Sequence, residues 1–156
     1  VPRPYWNKKI YTNPPVRLAV NNTKGFWMNV RVIRYADVLL MAAEAAAELG
    51  GAANIQEALG FLEQVRARAR KGNNAVLPQI TETNQEALID LIRHERRVEL
   101  GMENERFFDL VRWGIDEEVL HAAGKTNYQP KHRYLPIPQP EIDKSGGVLE
   151  QNPDYR

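Results

Sequence analysis

Glu95 and Glu99 lie one helical turn apart in a stretch whose apolar residues fall at Leu88, Leu91, Ile92 and Met102. At roughly 100° per residue these side chains share one direction, so both carboxylates face inward if the apolar stripe does. Asp37 and Glu44 stand in the same relation to Ile33 and Leu40. Inward carboxylate pairs suit two kinds of chemistry. A glycoside hydrolase uses them as general acid and as nucleophile or base, whereas a buried ion-pair network uses them as partners for cations. The choice of cation separates the two. From Arg31 through Arg112 every lysine or arginine except Lys71 is arginine, among them Arg34, Arg96, Arg106 and Arg112. A guanidinium fork fits a desolvated carboxylate with two parallel hydrogen bonds, and it depresses the pKa that a catalytic acid needs raised. The expectation is a structural network of Arg34, Glu44, Glu95, Arg96, Glu99, Arg106, Asp109 and Arg112 with no catalytic residue. Hydrolysis by Glu95 and Glu99 is the lesser alternative.

Other chemical motifs are incomplete. The run His94-Glu95-Arg96-Arg97-Val98 begins like a zinc helix but has valine where the second histidine ligand must stand, so no metal site is expected. Ser145, the only serine, lies in Ser145-Gly146-Gly147 without the upstream strand a nucleophile elbow requires, and reads as a turn residue. The basic run from Arg66 to Lys71 spreads around a helix and reads as cations matched to the helix carboxy-terminus plus one buried arginine. A formal charge of +1 gives no field to collect nucleic acid, and the absence of cysteine removes disulfide and thiolate chemistry. No cofactor is expected.

One further group suits ligand binding. Tyr5, Trp6, Tyr11, Phe26 and Trp27 lie among Asn7, Asn13, Asn21, Asn22 and Asn29. Flat rings beside amide donors and acceptors fit a sugar, whose axial hydrogens present an apolar face and whose hydroxyls need directional partners. Such rings equally serve to cover a helical core beneath a long loop. Tyr5, Trp6, Asn7 and Trp27 are the candidate ligand contacts.

The elements that must position these residues follow from pattern. At 156 residues with 43% hydrophobic content the chain suits one globular unit. Residues 1–30 form a loop-rich opening, with Lys9-Ile10-Tyr11 and Val16 to Val20 as possible short extended pieces. Helices are expected over 31–49, from Asn54 to about Lys71, from Thr83 or Asn84 to Gly101, and from Asn104 to Trp113, with a short one from Ile115 to His121. Gly50-Gly51 must turn the first pair antiparallel, and Ala36, Ala43, Ala46 and Ala47 allow close approach, as in tetratricopeptide-like helix pairs. The helix ending at Trp113 has little polar circumference and should be buried on more than one side. Residues 122–156 read as an irregular tail, because the prolines of Leu135-Pro136-Ile137-Pro138-Gln139-Pro140 interrupt any helix. The expected class is all-α: tetratricopeptide-like pairs, the loop-rich opening, and a proline-rich tail that wraps over the helices. No targeting pattern opens the chain, which reads as a piece of something longer.

Four strings, in order, resemble the SusD/RagB family. They are Ile33-Arg34-Tyr35-Ala36-Asp37-Val38-Leu39-Leu40-Met41 with Ala43-Glu44-Ala45; Val65-Arg66-Ala67-Arg68-Ala69; Arg93 to Leu100 followed by Glu105 to Gly114; and Leu135-Pro136-Ile137-Pro138 with Glu141-Ile142-Asp143 and Gln151-Asn152-Pro153. The resemblance covers about residues 30–155 and marks the chain as the carboxy-terminal portion of such a domain. It implies an α-helical nutrient-binding lipoprotein on the extracellular face of the outer membrane, with a lipid anchor outside this chain. Its partners would be an oligosaccharide and a SusC-type TonB-dependent transporter, with no enzymatic activity. The alternative within this picture is a helical scaffold that binds the transporter without touching sugar. The resemblance makes Arg34, Glu95, Arg96, Glu99, Arg106, Asp109 and Arg112 scaffold, and carries over no ligand residue, since those vary with the glycan and commonly lie upstream. Two departures occur: Pro140 replaces a small polar residue, and Asp154 stands where glycine is common. A left-handed backbone at Asp154 would cost roughly 1 kcal/mol.

Overall fold

A computed structural model of the protein describes residues 7–11, 13–19 and 31–155. Among them every regular element is helical, and the chain divides into two compact units, Val1–Glu103 and Asn104–Arg156. Chain length alone suggested one unit. The division falls at a turn in which Met102 and Asn104 both take left-handed backbone, with φ of 66° and 69°.

In the first unit, Lys8–Ile10 is a single 3₁₀ turn and α1 spans Pro14–Ala19, so Lys9-Ile10 and Val16 to Ala19, expected as extended, are helical, while Tyr11 is extended and Val20 lies outside the described residues. The cause at the first is local: the Asn7 side chain accepts from the Lys9 N–H and starts a turn. Pro14 opens α1, a position where its missing N–H has no helical partner to lose. Helix α2 spans Tyr35–Leu49, α3 Ala52–Arg70 and α4 Gln85–Glu99. Helix α2 begins four residues later than composition suggests because Arg34 is extended, with φ −133° and ψ 160°. Helix α3 begins at Ala52 rather than Asn54, whose amide instead donates back to the Gly50 carbonyl at 2.7 Å. The two-residue link Gly50-Gly51 turns the chain with φ of 68° and 81°, values only glycine adopts freely.

Helix α2 packs against both α3 and α4. Its fully buried Ala43 and Ala47, with Ala36 and Ala46 nearly so, let both neighbours approach. Leu40, Leu62, Leu88 and Ile92 are the largest fully buried side chains of this core, each worth about 1.5–3 kcal/mol of apolar burial. Leu40, Leu88 and Ile92 thus follow the stripes expected from periodicity, whereas Ile33 and Met102, at the stripe edges, fall outside the helices and are exposed. Asn84 rather than Thr83 caps α4, its side chain accepting from the Ala87 N–H at 3.0 Å. Asn84→Ala is expected to lower unfolding free energy by about 1 kcal/mol, read as a lower urea midpoint at unchanged slope.

In the second unit, α5 spans Arg106–Trp113 and α6 Asp116–Ala122, and the two pack together. Gly114, at φ 70°, ends α5: its N–H returns to the Val111 carbonyl and that of Ile115 to Leu110, both at 3.1 Å. Phe108 is 66% exposed, so α5, expected to be buried on more than one side, keeps this apolar side chain in solvent. The stretch after α6 is less irregular than its prolines suggest. A 3₁₀ helix covers Pro130–Arg133 and α7 covers Gln139–Lys144, with Pro140 within the first turn, where a missing N–H is tolerated. Gln151 holds the Ile137 backbone by both ends of its amide, at 2.7 and 2.8 Å. Asp154 is left-handed at φ 65°.

Candidate functional site

The densest polar cluster gathers around the carboxy-terminal end of α4. Arg34, the last residue before α2, sends Nη1 to Glu99 Oε1 (2.6 Å), Nε to Glu103 Oε2 (2.7 Å) and Nη2 to the Glu99 carbonyl (2.7 Å). Arg68 from α3 donates to both Glu99 oxygens at 2.7 Å. Lys9 pairs with Glu103 and donates to the carbonyls of Glu99 (2.6 Å) and Gly101 (3.0 Å). Cations belong here because the last helical carbonyls lack partners and carry the negative end of the helix dipole. Burial pulls the Arg34 guanidinium pKa down, but the hydrogen bonds to Glu103 and Glu99 outweigh it and raise the pKa. Burial likewise pushes Glu103 up, and Arg34 and Lys9 more than offset it, leaving the carboxyl below its ordinary range.

Two more charge pairs tie the three long helices together. Arg66 Nη1 of α3 meets Glu95 Oε2 of α4 at 2.6 Å, and Arg96 Nη1 of α4 meets Asp37 Oδ1 of α2 at 2.9 Å. Glu44 is buried on α2. In the second unit, Arg112 Nε donates to Asp109 Oδ1 at 2.9 Å, and the Arg106 and Arg112 guanidinium groups lie 5.6 and 4.9 Å from the Trp113 ring centre. Within the ion-pair network expected from sequence, the structure therefore joins Arg34 to Glu99 and Arg112 to Asp109. It gives Glu95 and Arg96 the partners Arg66 and Asp37, which lie outside that set.

A second-unit cluster escaped sequence reading. Asp116, fully buried at the start of α6, accepts from Arg133 Nε (2.8 Å) and Nη2 (2.7 Å) and from the Tyr128 hydroxyl (2.5 Å). The Arg133 hydrogen bonds, acting against burial and aided by Tyr128, hold this carboxyl at a pKa of about 2. Tyr128 also packs edge-on to Phe107, with centroids 6.1 Å apart. The only sequence signal was an acid in the first turn of a short helix, which says nothing of a partner 17 residues on.

Chemically this is an arrangement of anchors. A general acid must present a proton to its leaving group, yet both Glu99 oxygens face guanidinium N–H groups, as does Glu95 Oε2. Among the described residues no group of three His, Asp or Glu side chains is placed to hold a metal, and no helix is long and apolar enough to cross a membrane. Of the candidate ligand contacts, Tyr5, Trp6 and Trp27 lie outside the described residues. Asn7 is tied to the turn after α4: its Nδ2 donates to the Met102 carbonyl at 3.1 Å while its oxygen accepts from the Lys9 N–H.

Comparison with known proteins points one way. The family model described as SusD family matches residues 4–155. SusD-like protein P2 of Formosa agariphila is 35% identical over 144 residues, covering 88% of this chain and 28% of that protein. SusD-like protein P25 of the same organism is 37% identical over 127 residues, covering 78% and 23%. Among solved structures, a SusD homolog from Bacteroides thetaiotaomicron superposes with a TM-score of 0.70 at 29% identity, over 85% of this chain and 30% of the other. A SusD-like protein from Bacteroides fragilis gives 0.63 at 29% identity, over 81% and 26%. The chain thus spans under a third of the length of each.

Proposed function

The chain belongs to the SusD family, and from that premise we propose that it is the carboxy-terminal helical scaffold of a surface protein that captures oligosaccharides for uptake without hydrolysing them. The observation that carries this reading is the family match across residues 4–155, which includes all the motif arginines and carboxylates. The whole protein would sit on the extracellular face of the outer membrane through a lipid anchor outside this chain, and pass its ligand to a SusC-type TonB-dependent transporter. In this reading Arg34, Arg66, Glu95, Arg96 and Glu99 hold helices in register, while Tyr5, Trp6, Asn7 and Trp27 supply the sugar contacts.

Calorimetric titration of the complete protein with an oligosaccharide panel, in chelator, tests the proposal. Saturable binding without release of reducing ends is expected, and Trp6→Ala or Trp27→Ala is expected to weaken it about tenfold, as loss of one aromatic anchor does. Binding untouched by either change would move the sugar contacts elsewhere in the protein. Turnover abolished by Glu99→Gln with the fold intact would replace capture by hydrolysis.

A second reading has its own support. Tyr35, Val38 and Met41 form an exposed apolar line along α2, with Val32 and Ile33 exposed just before it. Such a face suits contact with protein. Co-purification with a transporter barrel, with no heat from any sugar, would favour a scaffold that binds the transporter alone.

A further inference from the structure

The connection between α3 and α4, residues 71–84, is pinned alongside α3. Arg66 Nη2 donates to the Pro78 carbonyl at 3.0 Å, and Arg70 donates to the Leu77 carbonyl through Nε (3.0 Å) and Nη2 (2.8 Å). Between α3 and the pinned segment lies a groove of about 330 Å³. Leu59 and Ile80 supply its apolar part, and Gln56, Glu63, Gln79 and Thr81 its polar part. That volume is at the lower end of small-ligand sites, which pair an apolar surface with a few polar groups.

Three features narrow what would fit. The side chains of Gln56, Gln79 and Thr81 make no hydrogen bond within the described residues, so amide and hydroxyl groups remain free to donate and accept. Glu63 is ionised but already neutralised, since Arg70 donates to its two oxygens at 2.6 and 3.1 Å. Its remaining lone pairs can accept from hydroxyls without demanding a cation. Gly60 lines the same groove in the interior of α3, where glycine is among the least favourable residues. A Cβ there would meet nothing within 4 Å among the described residues, so no packing among them calls for glycine, and its missing side chain widens the groove.

We propose that this groove binds a neutral, hydroxyl-rich ring, one sugar unit of an oligosaccharide, through lining residues other than the candidate contacts Tyr5, Trp6, Asn7 and Trp27. The site rests on the oligosaccharide-capture reading above. An anion would find no unpaired cation among the lining residues, and a metal ion would have to displace Arg70 from Glu63. A sugar ring offers a C–H face to Leu59 and Ile80, and hydroxyls to the amides, Thr81 and the carboxylate.

The test is titration of the complete protein, ¹⁵N-labelled at glutamine side-chain amides, with linear oligosaccharides of glucose, mannose, xylose and galactose, run beside calorimetry. With at least one of them the Gln56 and Gln79 amide signals are expected to shift saturably. Gly60→Leu, which fills the groove and improves the helix, is expected to weaken that response at least about tenfold while the melting temperature holds or rises. Sugar binding seen by calorimetry with neither amide moving, or with Gly60→Leu without effect on it, overturns the groove and leaves oligosaccharide capture standing. Equal shifts with tetraalanine overturn the ligand class. No heat and no shift with any sugar overturns capture, and the groove with it.

Discussion

Arg66→Ala is expected to lower the unfolding free energy by about 3–5 kcal/mol, the usual result of stripping one partner from a buried ion pair. The Arg66 and Glu95 side chains are only 11% and 7% exposed, with nitrogen and oxygen 2.6 Å apart. Without the guanidinium, the Glu95 carboxylate stays buried among α3 and α4 with its charge uncompensated. The Pro78 carbonyl loses its donor as well, so the segment that walls the groove keeps the Arg70 hydrogen bonds to the Leu77 carbonyl but loses the one from Arg66. The loss should appear as a lower urea midpoint at unchanged slope, since the surface exposed on unfolding does not change. The double change Arg66→Met with Glu95→Met should recover more than half of it, because a well-packed apolar pair removes the uncompensated charge. A single-mutant loss below about 1 kcal/mol would class the pair with solvated surface bridges and remove it from the scaffold.

This pair shows where sequence reading succeeds and where it stops. Periodicity gave Glu95 its inward direction, because Leu88 and Ile92 share its stripe and both are fully buried. It could not name the partner, since which arginine reaches a carboxylate depends on how two helices cross, and Arg66 is 29 residues away. The same limit hid Asp37 behind Arg96 and Arg133 behind Asp116. Helix identity was legible wherever composition was uniform, as from Tyr35 to Leu49. Helix starts were less so, because Arg34 takes extended backbone that composition does not register. The helical part of the tail is hidden because proline in sequence signals a break, although in the first turn of α7 it costs no hydrogen bond. The groove was illegible for a simpler reason: it is space left by Gly60, and Gln79, Ile80 and Thr81 border it only because two arginines fix the connection beside α3.

Between pH 4 and pH 2 the second unit is expected to lose about 2 kcal/mol of stability through Asp116 alone. Its carboxyl titrates near pH 2 in the folded protein against an ordinary 3.8, held down by Arg133 and Tyr128. A carboxyl whose folded pKa is depressed contributes stability that is fully present above the unfolded value. That contribution is lost as pH falls through the folded one, and each pH unit separating the two values is worth about 1.36 kcal/mol. Glu63 and Glu103 are also held below the ordinary carboxylate range, Glu63 by Arg70 and Glu103 by Arg34 and Lys9 acting against burial. The measurement is therefore a difference: urea unfolding of wild type and Asp116→Asn at steps from pH 5 to pH 2. Asp116→Asn should start less stable at pH 5, because a neutral amide replaces the anion that Arg133 grips by two nitrogens. The two curves should then converge on acidification, since only the wild type has this contribution to lose. Curves that stay parallel down to pH 2 would mean that the Asp116 pKa is unchanged on folding, and that the contacts joining α6 to Tyr128 and Arg133 hold through packing rather than charge.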